Sequence, residues 1–400
     1  MRGSVGTVGT EYLDLPEPLR LDSGMTLAPV RIAYETYGTQ VPANDNVILV
    51  CHALSGDAHA AGWSDDPSAP TTVDGVGAAE RGKSGLGWWD GMIGPGKAFD
   101  TDRYFVVCTN LIGSCRGSTG PGSIDPATGK PYGAGFPVLT VGDMVRAERA
   151  FLHQLGIATL QAVSGGSLGG MQALEWAVAY PDAVRAIVPI ASTARLGTQG
   201  LAWNAIARNA ITSDPDWQGG AYYDTGRSPT AGIKIARMVG HITYLSAQAV
   251  REKFGRRFQR GGDEPLYELA AADFEVESYL RYQADAFAAR FDANAYLYIS
   301  RALTYFDLAR TYGRGSLERA LARVRAATLL LSFSSDWLYP PRDSEEIAAA
   351  LRANGGDVRH AIIQADYGHD SFLLEEAEMT REITAFLDAL PGDRGGEKLA

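Results

Sequence analysis

Short, uninterrupted apolar runs recur along the chain at residues 46–51, 104–109, 160–163, 186–191, 328–333 and 360–363. Runs of this length, bounded by turn-forming residues, suit strands buried on both faces. Helical periodicity lies between several of them, at 143–155, 169–180 and 342–353. Strands alternating with helices predict an α/β fold with a mostly parallel central sheet covered by helices on both sides. Upstream, alternation of apolar and polar residues over 19–37 predicts an antiparallel hairpin with Asp22-Ser23-Gly24 at its turn.

One stretch breaks that rhythm. Residues 196–309 read as almost wholly helical, with aromatic and Arg-rich segments such as SYLRYQADAFAARFDANAYLYISRAL. This pattern predicts a helical cap inserted between two strands. The expected organisation is a sheet core in two parts, 13–195 and 310–390, around a cap at 196–309, with flexible termini at 1–12 and 391–400. The Gly-, Pro- and Ser-rich segment 65–87 reads as a surface loop. No internal repeats are present.

With 400 residues and 46% hydrophobic content, the chain can bury a large core. A net charge of −11 without any Lys/Arg block argues against nucleic acid or an anionic membrane as the main partner. Cys51, Cys108 and Cys115 are too few and too irregular for a disulfide framework, and the first two sit in apolar runs as small buried thiols. The N-terminus lacks the basic-then-apolar pattern of a secretory signal, and no apolar run approaches the roughly 20 residues that span a bilayer. A soluble, cytoplasmic protein is expected.

The richest chemical signal is Gly165-Gly166-Ser167-Leu168-Gly169 between a predicted strand and a predicted helix. This is a nucleophile elbow, G-x-S-x-G. Small residues flank the serine because a Cβ beside the turning residue would collide with neighbouring backbone. Serine becomes a nucleophile only when a base takes its proton, and the base needs an orienting carboxylate. Asp336 follows the 328–333 strand and His369 follows the 360–363 strand, so Ser167, Asp336 and His369 occur in the expected order. Each has a plainer reading. G-x-S-x-G arises by chance in a chain with 46 glycines, and a loop histidine is commonly just exposed. An Asp after a strand is commonly a helix N-cap, and Asp343 or Ser344 could cap the helix that follows. Order and placement together favour the triad.

An oxyanion formed at the serine requires preorganised donors. The backbone N–H of Leu168 is one candidate, and the loop His52-Ala53-Leu54-Ser55-Gly56 offers that of Leu54, with His52 as a further loop residue. His59, His153, His241 and His360 show no paired metal-ligand spacing, so no metal is assigned.

The segments CHALSGDAHAAGW, GWWDGMIGPGKAFDTDRYFVVCTNLIGSCRGSTGP, VSGGSLGGMQALEWA, ARMVGHITYLS, FEVESYLRYQADAFAARFDANAYLYISRAL and GHDSFL strongly resemble the homoserine O-acyltransferases, which have the α/β-hydrolase fold. The likeness runs over about 19–390. Departures are Ser55 where the family usually has Thr, Gly142 before Asp143, and the 65–87 loop.

The resemblance implies acyl transfer from a coenzyme A thioester to the hydroxyl of L-homoserine, an early step of methionine biosynthesis, through an acyl-Ser167 intermediate. No permanently bound cofactor is implied; acetyl-CoA is the co-substrate. It assigns Arg237 to the α-carboxylate and Asp370 to the α-ammonium of the amino acid. Succinyl-using members carry an Arg two residues after the catalytic Asp; Leu338 at that position implies acetyl-CoA as donor. A homodimer joined through the cap helices is also implied. Competing readings are a succinyl-CoA- or serine-using member of the same group, a carboxylester hydrolase with the same triad, and a catalytically silent binding module.

Overall fold

Each of the six apolar runs forms a strand of one eight-stranded sheet in the computed structural model, which describes residues 3–65, 85–259, 264–269 and 271–391. The strands are β1 (Glu11–Asp14), β2 (Arg31–Tyr37), β3 (Val47–Cys51), β4 (Phe105–Thr109), β5 (Ala162–Gly166), β6 (Ala186–Ile190), β7 (Ala327–Phe333) and β8 (Val358–Ile363). Their spatial order is β8-β7-β6-β5-β3-β4-β2-β1. All neighbours pair in parallel except β1 with β2 and β2 with β4. Most of the expected surface loop at 65–87, together with residues 392–400 of the expected tail, lies outside the described residues.

The predicted hairpin over 19–37 proves to be two structures. Leu19–Arg20 pairs with Thr26–Leu27 around the expected turn, where Gly24 N–H donates to Leu21 O. Arg31–Tyr37 instead joins the central sheet. Alternation alone cannot tell which partner a strand takes, because both pairings leave one face buried.

Helix α1 (Val141–Gln154) follows β4, and α2 (Leu168–Ala179) follows β5. Thr140 and Asp143 form a reciprocal capping box that starts α1. Between β6 and β7 come α3 (Thr198–Thr212), α4 (Thr230–Tyr244), α5 (Ala247–Phe254), α6 (Glu275–Arg290), α7 (Ala293–Tyr305), and the short α8 (Leu308–Gly313) and α9 (Leu317–Leu321). Within this helical group α3 packs on α4 and α7, and α4 on α6. Then α10 (Pro341–Ala353) follows β7, while α11 (Ser371–Leu374) and α12 (Glu376–Asp388) follow β8. Neither Asp343 nor Ser344 caps α10: Pro340 holds that position and Pro341 starts the helix, where a missing N–H costs nothing.

Side chains alternate across the sheet with the strand period of two. Leu49, Val107, Val163, Ile187 and Leu330 pack in one core with α1, α2 and α10. Ile48, Val50, Val106, Val188 and Leu331 pack in the other with Trp89, Phe99 and α12. Parallel strands buried on both faces explain why the sequence shows continuous apolar runs. Among the described residues no helix is long and apolar enough to cross a membrane.

Candidate active site

The sheet brings the predicted groups together at the carboxyl ends of its strands. Ser167 follows β5 directly, residues 52–56 follow β3, Asp336 follows β7 and His369 follows β8. Ser167 has φ 58° and ψ −118°, a conformation that costs a non-glycine residue about 1–3 kcal/mol. Its N–H donates to Ile190 O at 2.9 Å and its carbonyl accepts the Ser192 hydroxyl at 2.9 Å, so the end of β6 and the residues just after it hold the strained turn. The flanking glycines serve close approach. A Cβ on Gly165 or Gly169 would lie 2.3 or 2.1 Å from Cys51 O, and one on Gly166 would lie 2.2 Å from the Phe372 ring.

Asp336 Oδ2 faces His369 Nδ1 at 2.8 Å, and both side chains are buried. The other oxygen, Oδ1, accepts the N–H groups of Leu338 (2.9 Å) and Tyr339 (3.0 Å). With both its oxygens accepting, the carboxylate calls for the imidazole hydrogen on Nδ1, leaving Nε2 as a base. Tyr244, Tyr339 and Phe372 surround the imidazole, with ring centroids 6.0, 5.1 and 5.5 Å away. The Asp336 side chain thus forms an Asx turn after β7 rather than capping α10.

Ser167 lines two small adjoining cavities. The first also contains His369, Arg237, Asp370, Tyr244 and the loop residues 53–56. The Arg237 guanidinium lies 4.7 Å from the Phe287 ring centre and 5.6 Å from that of Tyr244, both within cation–π range. Asp370 is buried with Oδ2 unpartnered in the described chain. Burial pushes its carboxyl up to about 7, against the opposing pull of His369 and Arg237 and with a small push from Asp336. A buried acceptor beside a buried guanidinium suits a zwitterion.

The second cavity is lined by Leu338, Leu196, Trp203, Tyr296 and Leu303 among others, and shares Leu54 and Tyr244 with the first. Leu338 and Ser167 therefore line the same cavity. Leu168 opens α2 one residue beyond the serine, and neither its N–H nor that of Leu54 donates to a described acceptor. His52 braces the loop beside Leu54: its Nε2 accepts the Leu111 N–H at 3.1 Å, so its hydrogen sits on Nδ1, facing Ala53 O at 2.6 Å.

Tyr244 escaped the sequence reading although a signal existed. Arg237, His241 and Tyr244 stand four and seven residues apart on α4, which is one helix face. Trp88 and Phe372 also line the first cavity; Trp88 comes from a segment remote from the triad, while Phe372 stands three residues after His369.

A pattern described as alpha/beta hydrolase fold matches residues 46–376, and sheet order and site geometry define a member of that class. A homoserine O-acetyltransferase of Solidesulfovibrio magneticus is 50% identical over 388 residues, 96% of this chain and 94% of that protein. The crystal structure of a homoserine O-acetyltransferase from Bacillus anthracis superposes with a TM-score of 0.86 at 30% identity, covering 96% of this chain and 98% of that one. The chain belongs to the homoserine O-acetyltransferase family of the α/β-hydrolase fold. A solved structure called esterase E22 is also similar, with a TM-score of 0.83 and 31% identity, covering 95% of this chain and 100% of that one.

Proposed function

We propose that this protein transfers an acetyl group from acetyl-CoA to the hydroxyl of L-homoserine, in the methionine pathway, by a ping-pong cycle through acyl-Ser167. The observation that carries the reading is a single cavity holding Ser167, His369, Arg237 and Asp370. In the first half-reaction His369 takes the Ser167 proton as the oxygen attacks the thioester carbon. Asp336 steadies the imidazolium, and the N–H groups of Leu54 and Leu168 receive the oxyanion. The carbon–sulfur bond breaks, and the departing thiolate takes the proton from His369. Homoserine then enters with its carboxylate toward Arg237 and its ammonium toward Asp370. His369 removes the hydroxyl proton, the alkoxide attacks the acyl ester, and the proton returns to Ser167.

Leu338 beside Ser167 favours acetyl over succinyl as the acyl group, since a second carboxylate would meet an apolar side chain there. A homodimer through the cap helices belongs to the same reading, and exposed Ile235 and Ile242 on α4 and Tyr282 on α6 support it. Hydrolysis is the reading to separate from transfer, because a protein named an esterase shares the fold at 31% identity. The test follows free thiol released from acetyl-CoA or succinyl-CoA, with and without homoserine or serine. Sustained release beyond one equivalent per enzyme that requires homoserine and is fastest with acetyl-CoA is expected, with Ser167→Ala abolishing it. Equally fast release without any amino acid would mark a hydrolase.

A further inference from the structure

The loop that carries Leu54 is held at its far end by a buried acid–base pair outside the triad. His59 Nδ1 lies 2.9 Å from Glu35 Oε2, with both side chains almost wholly buried. His59 Nε2 lies 3.0 Å from Gly85 O. A carbonyl only accepts, so Nε2 carries a hydrogen. Glu35 is engaged elsewhere as well: Oε1 accepts the Thr10 hydroxyl at 2.8 Å and Oε2 faces the Tyr37 hydroxyl at 2.9 Å. A carboxylate accepting at both oxygens requires a hydrogen on Nδ1 too, which makes His59 an imidazolium.

Tyr37 relays this pair to the loop. Its oxygen accepts the N–H groups of Ala60 (2.8 Å) and Ala61 (3.2 Å), which uses both lone pairs. Its one hydrogen faces Glu35 Oε2, with Ala58 O at 3.1 Å as the alternative acceptor. His59 N–H donates to Asp57 Oδ1 at 3.1 Å, closing the loop on itself. Residues 53–56, which line the Ser167 cavity, thus lie between His52, tied to Leu111, and the Glu35–Tyr37–His59 cluster.

We propose that Glu35 and His59 are positioning residues that hold the Leu54 loop in its oxyanion-binding shape only while the pair retains its proton. This role rests on the reading of Leu54 as an oxyanion donor to the Ser167 adduct. Burial works against charge on His59, but the Glu35 hydrogen bond and charge outweigh it, with Gly85 O and Asp57 adding, so its pKa is raised. The described titratable and charged groups facing the pair are Tyr37 on β2, Asp57 on the loop and Cys108 on β4, with Arg116 and His52 beyond Asp57. Once pH exceeds the raised His59 value, Glu35 loses its cationic partner, and the loop's far anchor loosens.

The experiment uses p-nitrophenyl acetate, which reports attack by Ser167 whatever the natural thioester and acceptor. His59→Gln and Glu35→Gln are expected to lower kcat by about 10- to 100-fold, as displacement of an oxyanion donor does, with KM within about twofold of wild type. Wild-type kcat should fall on the alkaline side where His59 titrates. That limb should vanish in His59→Gln and move down toward the ordinary histidine value of about 6.5 in Glu35→Gln. Separately, the His59 ring followed by NMR, assigned by its absence in His59→Gln, should titrate above about 6.5 in wild type and lower in Glu35→Gln. A purely structural role would lower the melting temperature while leaving kcat and its pH profile unchanged, and that result overturns the inference. So does a wild-type His59 ring that titrates at or below the ordinary value. Ester cleavage surviving Ser167→Ala would instead overturn the reading of the site and with it the catalytic half of the role, while the ring titration still decides the pair.

Discussion

Asp370 shows how much a single residue's setting determines its use. Its carboxyl sits near 7 because burial disfavours the charged form more than His369 and Arg237 restore it. A substrate ammonium arriving beside Oδ2 favours the carboxylate, so binding of the amino acid and ionisation of Asp370 are coupled. The KM for homoserine is therefore expected to rise as pH falls below about 7, where the free enzyme's Asp370 is protonated. Asp370→Asn should raise that KM by about 100-fold and flatten its pH dependence, because a buried ammonium loses its anionic partner. Steady-state kinetics between pH 6 and 8 check both. Leu338 acts at the same scale through what it lacks. Leu338→Arg should raise the succinyl-CoA to acetyl-CoA ratio of kcat/KM by about tenfold or more, since a charge-assisted hydrogen bond contributes about 1.5–3 kcal/mol. An unchanged ratio would count against Leu338 as a donor-selecting residue.

At the scale of elements, the join between β5 and α2 rests on contacts that only glycine permits. Gly169 brings the first turn of α2 against the end of β3, where a Cβ would meet the backbone oxygen of Cys51 at 2.1 Å. Backbone cannot move aside as a flexible side chain can. Gly169→Ala should cost about 1–3 kcal/mol of stability or more, and should depress kcat as Ser167 shifts. Gly135→Ala, whose Cβ would meet nothing within 4 Å, is the control and should change neither. Chemical denaturation and the thiol-release assay read the two effects. The elbow itself was legible in the sequence because its signal is local: small residues around one serine between an apolar run and a helical one. The pairing of β2 was not, since its partners β1 and β4 come from other segments than the one that alternation suggested. The face of α4 that carries Arg237 and Tyr244 lay between these cases, visible in its spacing but readable only once Arg237 had a cavity to line.

Across the whole molecule, the interior holds carboxyls that the proposed chemistry does not use. Glu148 accepts the Trp176 indole N–H at 2.7 Å and the Thr109 hydroxyl at 3.3 Å, yet burial still pushes it up to about 7. Glu175, bonded to the Tyr312 hydroxyl, is likewise pushed up to about 7 by burial. Between the unfolded value of 4.5 and about 7, folded Glu148 binds more protons than unfolded Glu148, so its contribution to stability falls as pH rises through that window. Glu148→Gln cannot titrate. Its stability relative to wild type should therefore improve from pH 4.5 to pH 8, by on the order of 3 kcal/mol. Denaturant midpoints of the two proteins across that range test the sign; a difference independent of pH would refute the assignment.

The sequence alone determined the six apolar-run strands, the order of Ser167, Asp336 and His369, and the helical character of the segment between β6 and β7. These are set by residues close together in the chain, through periodicity and turn chemistry, and so survive without knowledge of what packs where. By contrast, β1 begins inside the stretch 1–12 that was expected to be a flexible terminus. Tertiary structure decided the rest. It set the protonation of His59 by Glu35 and Gly85, the raised carboxyl of Asp370, and the shared cavity of Ser167 with Arg237. Each depends on burial and on charges brought together from separate segments, and neither quantity exists until the chain has folded.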